Sequence, residues 1–241
     1  MTKRILITVS FITAIIMLSC TYPAAEGLPY VNDQPPTNTS IPTQTLIPTV
    51  TPTTTNILLS DDFNVESAEM EHEPGSAEVK DGVYVVRSSG QVWKWGRSDS
   101  DFSDSVMEFD SVIAIGPANN NASAGVICRM QIHRDNSIDG YLFAINGDGF
   151  YSIHRITSSS MSPLVDWTYS GTINQGNQKN KVRATCNGSE LKLEVNGELL
   201  ATAGADASGP ESGAFAFAAI SFETAEPLTE VHFDNLLVTR P

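Results

Sequence analysis

Hydrophobic and polar residues alternate with a period of two along most of the chain from residue 57 onward. Such alternation places apolar side chains on one face of a β-strand and polar side chains on the other. Long segments with the 3.6-residue period of a helix are absent from the sequence. The pattern therefore predicts an all-β fold of about twelve strands. The clearest alternating segments are residues 83–87, 105–115, 124–133, 140–146, 150–156, 181–187, 190–196, 198–203, 214–222 and 229–238.

Turn dipeptides separate these segments and indicate how the strands connect. Asn-Gly and Asp-Gly pairs supply the positive φ angles of tight hairpins. Two such pairs, at 187–188 and 196–197, join three consecutive strands, which predicts an antiparallel meander. We therefore predict an antiparallel two-sheet sandwich.

The first twenty residues follow a different pattern. Lys3 and Arg4 precede an apolar stretch at residues 5–18, which is short for a membrane span. The sequence Met-Leu-Ser-Cys at 17–20 resembles a lipobox, although the usual pattern has Leu three places before the cysteine and a small residue two before it. We interpret residues 1–19 as a lipoprotein signal peptide and Cys20 as the lipidated residue. An ordinary secretory peptide and an uncleaved anchor are the alternatives.

Residues 20–56 are rich in Thr and Pro and poor in large apolar side chains. Proline every few residues prevents a helix, and such a segment buries too little apolar surface to fold. The sequence therefore predicts a disordered stalk at 20–56 and one folded domain at 57–241.

The net charge of the chain argues against some classes of binding partner. The chain has 241 residues, with 14 Lys and Arg against 28 Asp and Glu, for a formal net charge of −14. Such a charge argues against nucleic acid and against docking of the folded part on anionic lipid. No second long apolar run follows the N-terminal one, so we expect membrane contact through the N-terminal lipid only.

The two cysteines outside the signal, Cys128 and Cys186, lie on strands whose alternation places both on the apolar side. An even pair in an exported domain favours a disulfide. Two buried free thiols are the alternative.

The order of the strand and turn motifs resembles the concanavalin A-like lectin/glucanase sandwich, in its laminin-G-like and 3-keto-disaccharide hydrolase-like branch. The resemblance covers nearly all of residues 57–241. It implies two curved sheets packed face to face, one with a concave outer surface that often binds carbohydrate in relatives. The same fold also serves protein-binding and structural modules. The residues that carry it are those at 61–63, 81–86, 124–129, 140–153, 180–200 and 231–238.

Glycosidases of this fold carry the pattern Glu-x-Asp-x-x-Glu on one strand. Here Glu108 and Asp110 share a strand face, but Ile113 stands where a third acid is needed. The acid-rich segment 69–73 ends at a Pro-Gly turn, which is typical of a solvated loop. We therefore predict no catalytic residues.

Ligand-binding candidates follow from the strand alternation. Arg129 and Arg183 lie opposite the cysteines, so a disulfide between neighbouring strands would bring both guanidinium groups together on an outer surface. Guanidinium donors and aromatic rings are what sugar recognition uses. Burial of the aromatic rings in the core is the alternative. The aromatic candidates are Tyr141, Tyr151, Trp93, Trp95 and Trp167.

A structural Ca²⁺ site is a further expectation. Asp61 and Asp62 lie in the first strand and Asp234 in the last, and these strands usually pair in this fold. Carboxylate oxygens are the ligands that Ca²⁺ prefers. Asp-rich strand ends without an ion are the alternative.

These observations favour a non-catalytic carbohydrate- or glycan-binding module, anchored by lipid in the bacterial cell envelope on the extracytoplasmic side. A glycoside-active enzyme of the 3-keto-disaccharide hydrolase type and a protein-binding adhesion or scaffold domain are the rival hypotheses.

Overall fold

The computed structural model describes residues 56–224 and 228–241, and these residues contain fourteen strands. The predicted signal peptide, Cys20 and the predicted stalk up to residue 55 lie outside the described residues. Within the described part, no helix is long and apolar enough to span a membrane. The strands are β1 (Ile57–Asp61), β2 (Ala77–Lys80), β3 (Val83–Ser89), β4 (Trp93–Phe102), β5 (Ser105–Ile115), β6 (Ala122–Ile132), β7 (Ile138–Asn146), β8 (Phe150–Thr157), β9 (Ser160–Tyr169), β10 (Asn180–Asn187), β11 (Glu190–Val195), β12 (Glu198–Gly204), β13 (Gly213–Ser221) and β14 (Leu228–Thr239).

The strands form two antiparallel sheets, which confirms the predicted sandwich. One sheet has eight strands in the order β12-β11-β10-β5-β14-β3-β2, with β1 paired to β14. The other has six strands in the order β4-β13-β6-β7-β8-β9. The predicted meander is β10-β11-β12, and positive φ angles occur at Gly188, Asn196 and Gly197 in its turns.

Two strands of the structure, β2 and β9, were not predicted from the alternation pattern. β2 has only four residues, and β9 contains Pro163. Proline removes a ladder hydrogen bond and is tolerated at the edge of a sheet, which is where β9 lies. The sequence therefore underestimates the number of strands at the sheet edges.

The core lies between the sheets and is built from the inward-facing residues of both. Phe217 of β13 stacks on Phe233 of β14, with ring centroids 4.2 Å apart. Gly96 of β4 is required beside this cluster, because a Cβ atom there would overlap the hydroxyl group of Tyr84. That hydroxyl group donates a hydrogen bond to the carbonyl oxygen of Glu71 at 2.7 Å.

A disulfide joins the two sheets across this core. Cys128 of β6 and Cys186 of β10 are bonded, with 1% and 0% of their surfaces exposed. This confirms the predicted pair. The strands are not neighbours, however, because β6 belongs to the six-stranded sheet and β10 to the eight-stranded sheet.

The outer faces of the two sheets differ in chemistry. The eight-stranded sheet presents ion pairs to solvent: Arg87 with Glu78 and Glu230, Lys179 with Asp110, Lys181 with Glu108, Arg183 with Glu194, and Lys192 with Glu190. The outer face of the six-stranded sheet carries a second apolar cluster, distinct from the core. The members of this cluster are buried, but exposed aromatic residues lie on β8 and β9 of the same sheet, which makes this face the candidate for ligand binding.

Candidate functional site

The register of the six-stranded sheet aligns its outward-facing residues in rows that cross the strands. The middle row consists of small residues between a tryptophan and a serine: Trp95, Ala218, Gly125, Ala144 and Ser152. We call this central part of the outer face the floor. Its small side chains project little above the backbone. The flanking rows are Trp93, Ile220, Ser123 and Asn146 on one side, and Arg97, Ala216, Ile127, Leu142 and His154 on the other.

One rim of this face lies on β4. Trp93 and Trp95 point the same way, as the alternation predicts, and their ring centroids are 4.9 Å apart. Both side chains are half-buried and pack against the apolar cluster of the floor. The structure therefore brings two of the predicted aromatic residues together on the outer face.

The opposite rim, on β8 and β9, carries an exposed group of three aromatic residues that we call the aromatic ledge: Phe150, Trp167 and Tyr169. Their exposed fractions are 37%, 37% and 55%. Phe150 and Tyr169 are cross-strand partners, with ring centroids 5.6 Å apart. Large aromatic rings are costly to expose to water, and a contiguous group on one rim therefore indicates a binding surface.

Polar groups lie beside the ledge. His154 Nε2 is 2.8 Å from the hydroxyl group of Ser152, and its ring centroid is 5.8 Å from that of Trp167. Burial lowers the pKa of His154, against a smaller opposing effect of the Asp166 carboxylate. The imidazole is therefore neutral at neutral pH; its Nε2 is paired with the Ser152 hydroxyl group, and its Nδ1 is buried without a partner among the described residues.

The sheet is concave on this side. Phe222, which follows β13 directly, contacts Trp167 of β9 with ring centroids 5.8 Å apart. Four strand spacings separate β13 from β9, about 19 Å in a flat sheet. Side chains stand roughly perpendicular to a sheet, so a contact between residues this many strands apart favours two sides of the face that curve toward each other.

Arg129 is not on this face, and the expectation that it is exposed there is wrong. A β-bulge shifts the register of β6 at this residue, whose φ is 51°, so its side chain does not follow the alternation. Arg129 is 4% exposed. It donates hydrogen bonds to the carbonyl oxygens of Ser103 and Gly188, both at 2.9 Å, and to the Asp104 carboxylate at 3.0 Å.

Arg183 and Tyr141 are also separate from the ledge. Arg183 lies on the charged face of the eight-stranded sheet, 3.3 Å from the Glu194 carboxylate, so it does not meet Arg129. Tyr141 is fully buried in the core and donates a hydrogen bond to the carbonyl oxygen of Asp206 at 3.1 Å. For Tyr141 the alternative interpretation, a core aromatic residue, is the one the structure supports.

The predicted first and last strands pair, which brings the candidate calcium ligands to one sheet. Their carboxylates accept local hydrogen bonds instead of converging: Asp61 from Phe63 and Ser67, Asp62 from Asn64, and Asp234 from Asn235. Within residues 56–224 and 228–241, no cluster of three or more His, Cys, Asp or Glu is arranged to hold a metal. The three carboxylates are therefore not brought together, and the structural Ca²⁺ site stays a prediction.

The acids considered for catalysis have other partners. Lys181 Nζ lies 2.7 Å from Glu108, and Lys179 Nζ lies 3.0 Å from Asp110. In the acid-rich segment, Glu69 accepts a hydrogen bond from the hydroxyl group of Ser100 at 2.9 Å. None of these contacts places a carboxylate at the ledge.

Comparison with solved structures identifies the fold. Over 65% of this chain and 86% of the other, the structure resembles carbohydrate-binding module CBM66 from Bacillus subtilis, with 18% identity and a TM-score of 0.52. It also resembles a Bacillus subtilis protein of unknown function with a galectin-like fold (10% identity, TM-score 0.55, 77% and 96% covered). The fold is that of the concanavalin A-like sandwiches. A family 7 alginate lyase, A1-II′, shares it at 10% identity and a TM-score of 0.52, with 70% and 85% covered. No protein-family model and no curated protein matches the sequence.

Sequence reasoning found Trp167 but missed Phe150, Tyr169 and Phe222. Phe150 and Tyr151 are adjacent and both aromatic, and only the sheet shows that Tyr151 points into the core and Phe150 outward. The signal for Tyr169 was its position two residues after Trp167, on the same side of an edge strand.

Proposed function

We propose that this chain is a non-catalytic glycan-binding module, anchored by lipid on the extracytoplasmic side of the cell envelope, and that the glycan stacks on the aromatic ledge. The observation that carries the proposal is the contiguous exposure of Phe150, Trp167 and Tyr169 on the rim of a concave face. The resemblance to a carbohydrate-binding module and to glycan-active enzymes supports it at the level of the fold.

The chemistry of the ledge matches that of a sugar. A pyranose ring presents C–H groups on its faces, which pack on aromatic rings, and hydroxyl groups at its edges, which need donors and acceptors. The hydroxyl group of Tyr169 and the side-chain amide of Gln175, both on exposed residues at the ledge, provide both. A purely apolar partner would leave these polar groups without a role.

The proposal of binding without catalysis is supported by the positions of the acids. Retaining glycoside hydrolysis needs two carboxyl groups about 5 Å apart, around the bond that is cleaved. Glu108 and Asp110, which share a strand face, lie on the outer face of the other sheet, each beside a lysine.

Lipid anchoring and localisation in the cell envelope are proposed from the sequence of residues 1–56. The apolar stretch followed by Cys20 supports the anchor, and the Thr/Pro-rich segment supports a stalk that separates the domain from the membrane.

The test is a glycan-array screen with the full chain, followed by titration of each bound glycan with Trp167→Ala and Trp167→Phe. We expect Trp167→Ala to weaken binding about 2- to 10-fold, and Trp167→Phe to retain most of the affinity because it keeps an aromatic face. Leu199→Ala, at a 54% exposed apolar side chain on β12, is the control.

Three results would refute the proposal: no glycan bound by the unmodified chain, equal effects of the Trp167→Ala and Leu199→Ala substitutions, or cleavage of a bound glycan. The third result would support the enzyme hypothesis instead.

A further inference from the structure

A cleft of about 320 Å³ opens at one end of the sandwich, where three connections meet. These are the β5–β6 loop, the β7–β8 turn and the loop that follows β9. The volume lies at the lower end of the range for small-molecule sites. Its polar lining comes from Asn120, Asn177, Gly147 and Gly176.

The lining is uncharged and rich in amide groups. None of the ten residues that line the cleft, all within the described part of the chain, carries a charged side chain. The side-chain amide of Asn120 makes no hydrogen bond to another described residue, although the neighbouring Asn119 and Asn121 both donate to the Glu223 carboxylate. An amide offers donors and an acceptor together, as a sugar hydroxyl group requires of its partners.

Two positive φ angles and a close approach of the chain shape the backbone of the cleft. Asn120 has a φ of 60° and Gly176 a φ of 67°. Gly147 allows close approach of the chains, because a Cβ atom there would lie 2.9 Å from the carbonyl oxygen of Asn120. The amide of Gly176 donates a hydrogen bond to the carbonyl oxygen of Gly147 at 2.8 Å.

The cleft adjoins the aromatic ledge. Gln175, next to Gly176, lies with its Nε2 3.4 Å from the hydroxyl oxygen of Tyr169. Gly149, two residues after Gly147, packs so close to Tyr169 that a Cβ atom would lie 2.9 Å from the aromatic ring. The two residues that lie against Tyr169 are thus one and two positions along the chain from residues that line the cleft.

We propose that this cleft is a second subsite, which holds an uncharged sugar residue of the glycan that stacks on the ledge; the inference rests on the proposed function. Hydroxyl groups match the amide and backbone groups of the lining. The carboxylate of a uronate finds no cation there to pair with. The net charge of −14 also disfavours a polyanionic glycan.

The experiment compares neutral tetrasaccharides of glucose, mannose, galactose and fructose with uronate tetrasaccharides, in titrations of the full chain near physiological salt. The variant is Asn120→Gly, which removes the amide, while glycine accepts the positive φ without strain. The matched control is Asn136→Gly: this asparagine has a φ of 62° and is exposed in the β6–β7 turn, away from the cleft. We expect about a 3- to 10-fold loss of affinity for the neutral ligand in Asn120→Gly alone, with similar melting temperatures in both variants.

The outcomes separate the inference from the function it rests on. Loss of binding in Trp167→Ala with equal affinities in the two asparagine variants would overturn the subsite but leave the glycan-binding function standing. Preference for a uronate would also overturn it, since no cationic side chain lines the cleft to pair with a carboxylate. Failure of every panel ligand to bind the unmodified chain would overturn the subsite, and failure of every glycan on the array would overturn both.

Discussion

Arg129 provides the sharpest test of how the end of the sandwich is held together. Its guanidinium group contacts the β4–β5 loop through Ser103 and Asp104 and the β10–β11 turn through Gly188. The side chain is 5% exposed, while that of Asp104 is 49% exposed. Replacing Arg129 by alanine removes all three hydrogen bonds and leaves two carbonyl oxygens without their donor.

The expected cost is about 2–4 kcal/mol of unfolding free energy. Breaking a buried charge pair costs about 3–5 kcal/mol, and hydrogen bonds to charged groups contribute about 1.5–3 kcal/mol each. Water reaches Asp104 and replaces part of its lost partner, which lowers the estimate. The backbone at residue 129 allows a second comparison. Its φ of 51° is a left-handed conformation that costs alanine about 1 kcal/mol and costs glycine almost nothing. Arg129→Gly is therefore expected to be less destabilising than Arg129→Ala.

Urea unfolding of the full chain measures these differences, and Arg183→Ala is the control. Arg183 forms an exposed ion pair with Glu194, so its loss is expected to change stability by less than about 1 kcal/mol. For Arg129→Ala the corresponding fall in melting temperature is roughly 5–15 °C. Equal stabilities of Arg129→Ala and Arg183→Ala would refute the structural role. Weaker glycan binding at unchanged stability would restore the interpretation of Arg129 as a ligand contact.

Three further predictions concern the disulfide, the ledge and the anchor. Replacing Cys128 and Cys186 by alanine is expected to lower the free energy of unfolding by about 4 kcal/mol, because the bond closes a loop with a sequence separation of 58. The β-sheet circular dichroism is expected to stay unchanged. Unaltered urea unfolding would contradict this prediction. Because burial holds the folded-state pKa of His154 below its ordinary value, the unfolded chain binds a proton first as the pH falls, and stability is expected to decrease below about pH 6.5. His154→Gln should flatten that slope in unfolding measured between roughly pH 5 and 7, and an unchanged slope would show that other groups cause it. Cys20→Ser is expected to move the protein out of the membrane fraction, and its retention there would indicate an uncleaved N-terminal helix.

The strands and turns of this protein were largely determined by the sequence, because their causes are local. Period-two alternation and Asn-Gly turns depend on residues close together in the chain, and they predicted the meander and the burial of Cys128 and Cys186. The same local pattern predicted the two-sheet sandwich, and the resemblance to the concanavalin A-like sandwich added the expectation of a concave outer face.

Which strands share a sheet, and where alternation fails, was decided only by the tertiary structure. The cysteine pair was compatible with neighbouring strands or with opposite sheets, and the long-range pairing of β6 with β13 and of β10 with β5 made it a bridge between sheets. Strand alternation placed Arg129 on an exposed face, but a single β-bulge places it in a buried position where it links two loops. One extra residue in a strand reverses the inside–outside assignment at that point. The aromatic ledge likewise arises from the pairing of β8 with the edge strand β9. No local sequence pattern specifies which aromatic rings remain exposed there, because burial depends on neighbours that are distant in the chain.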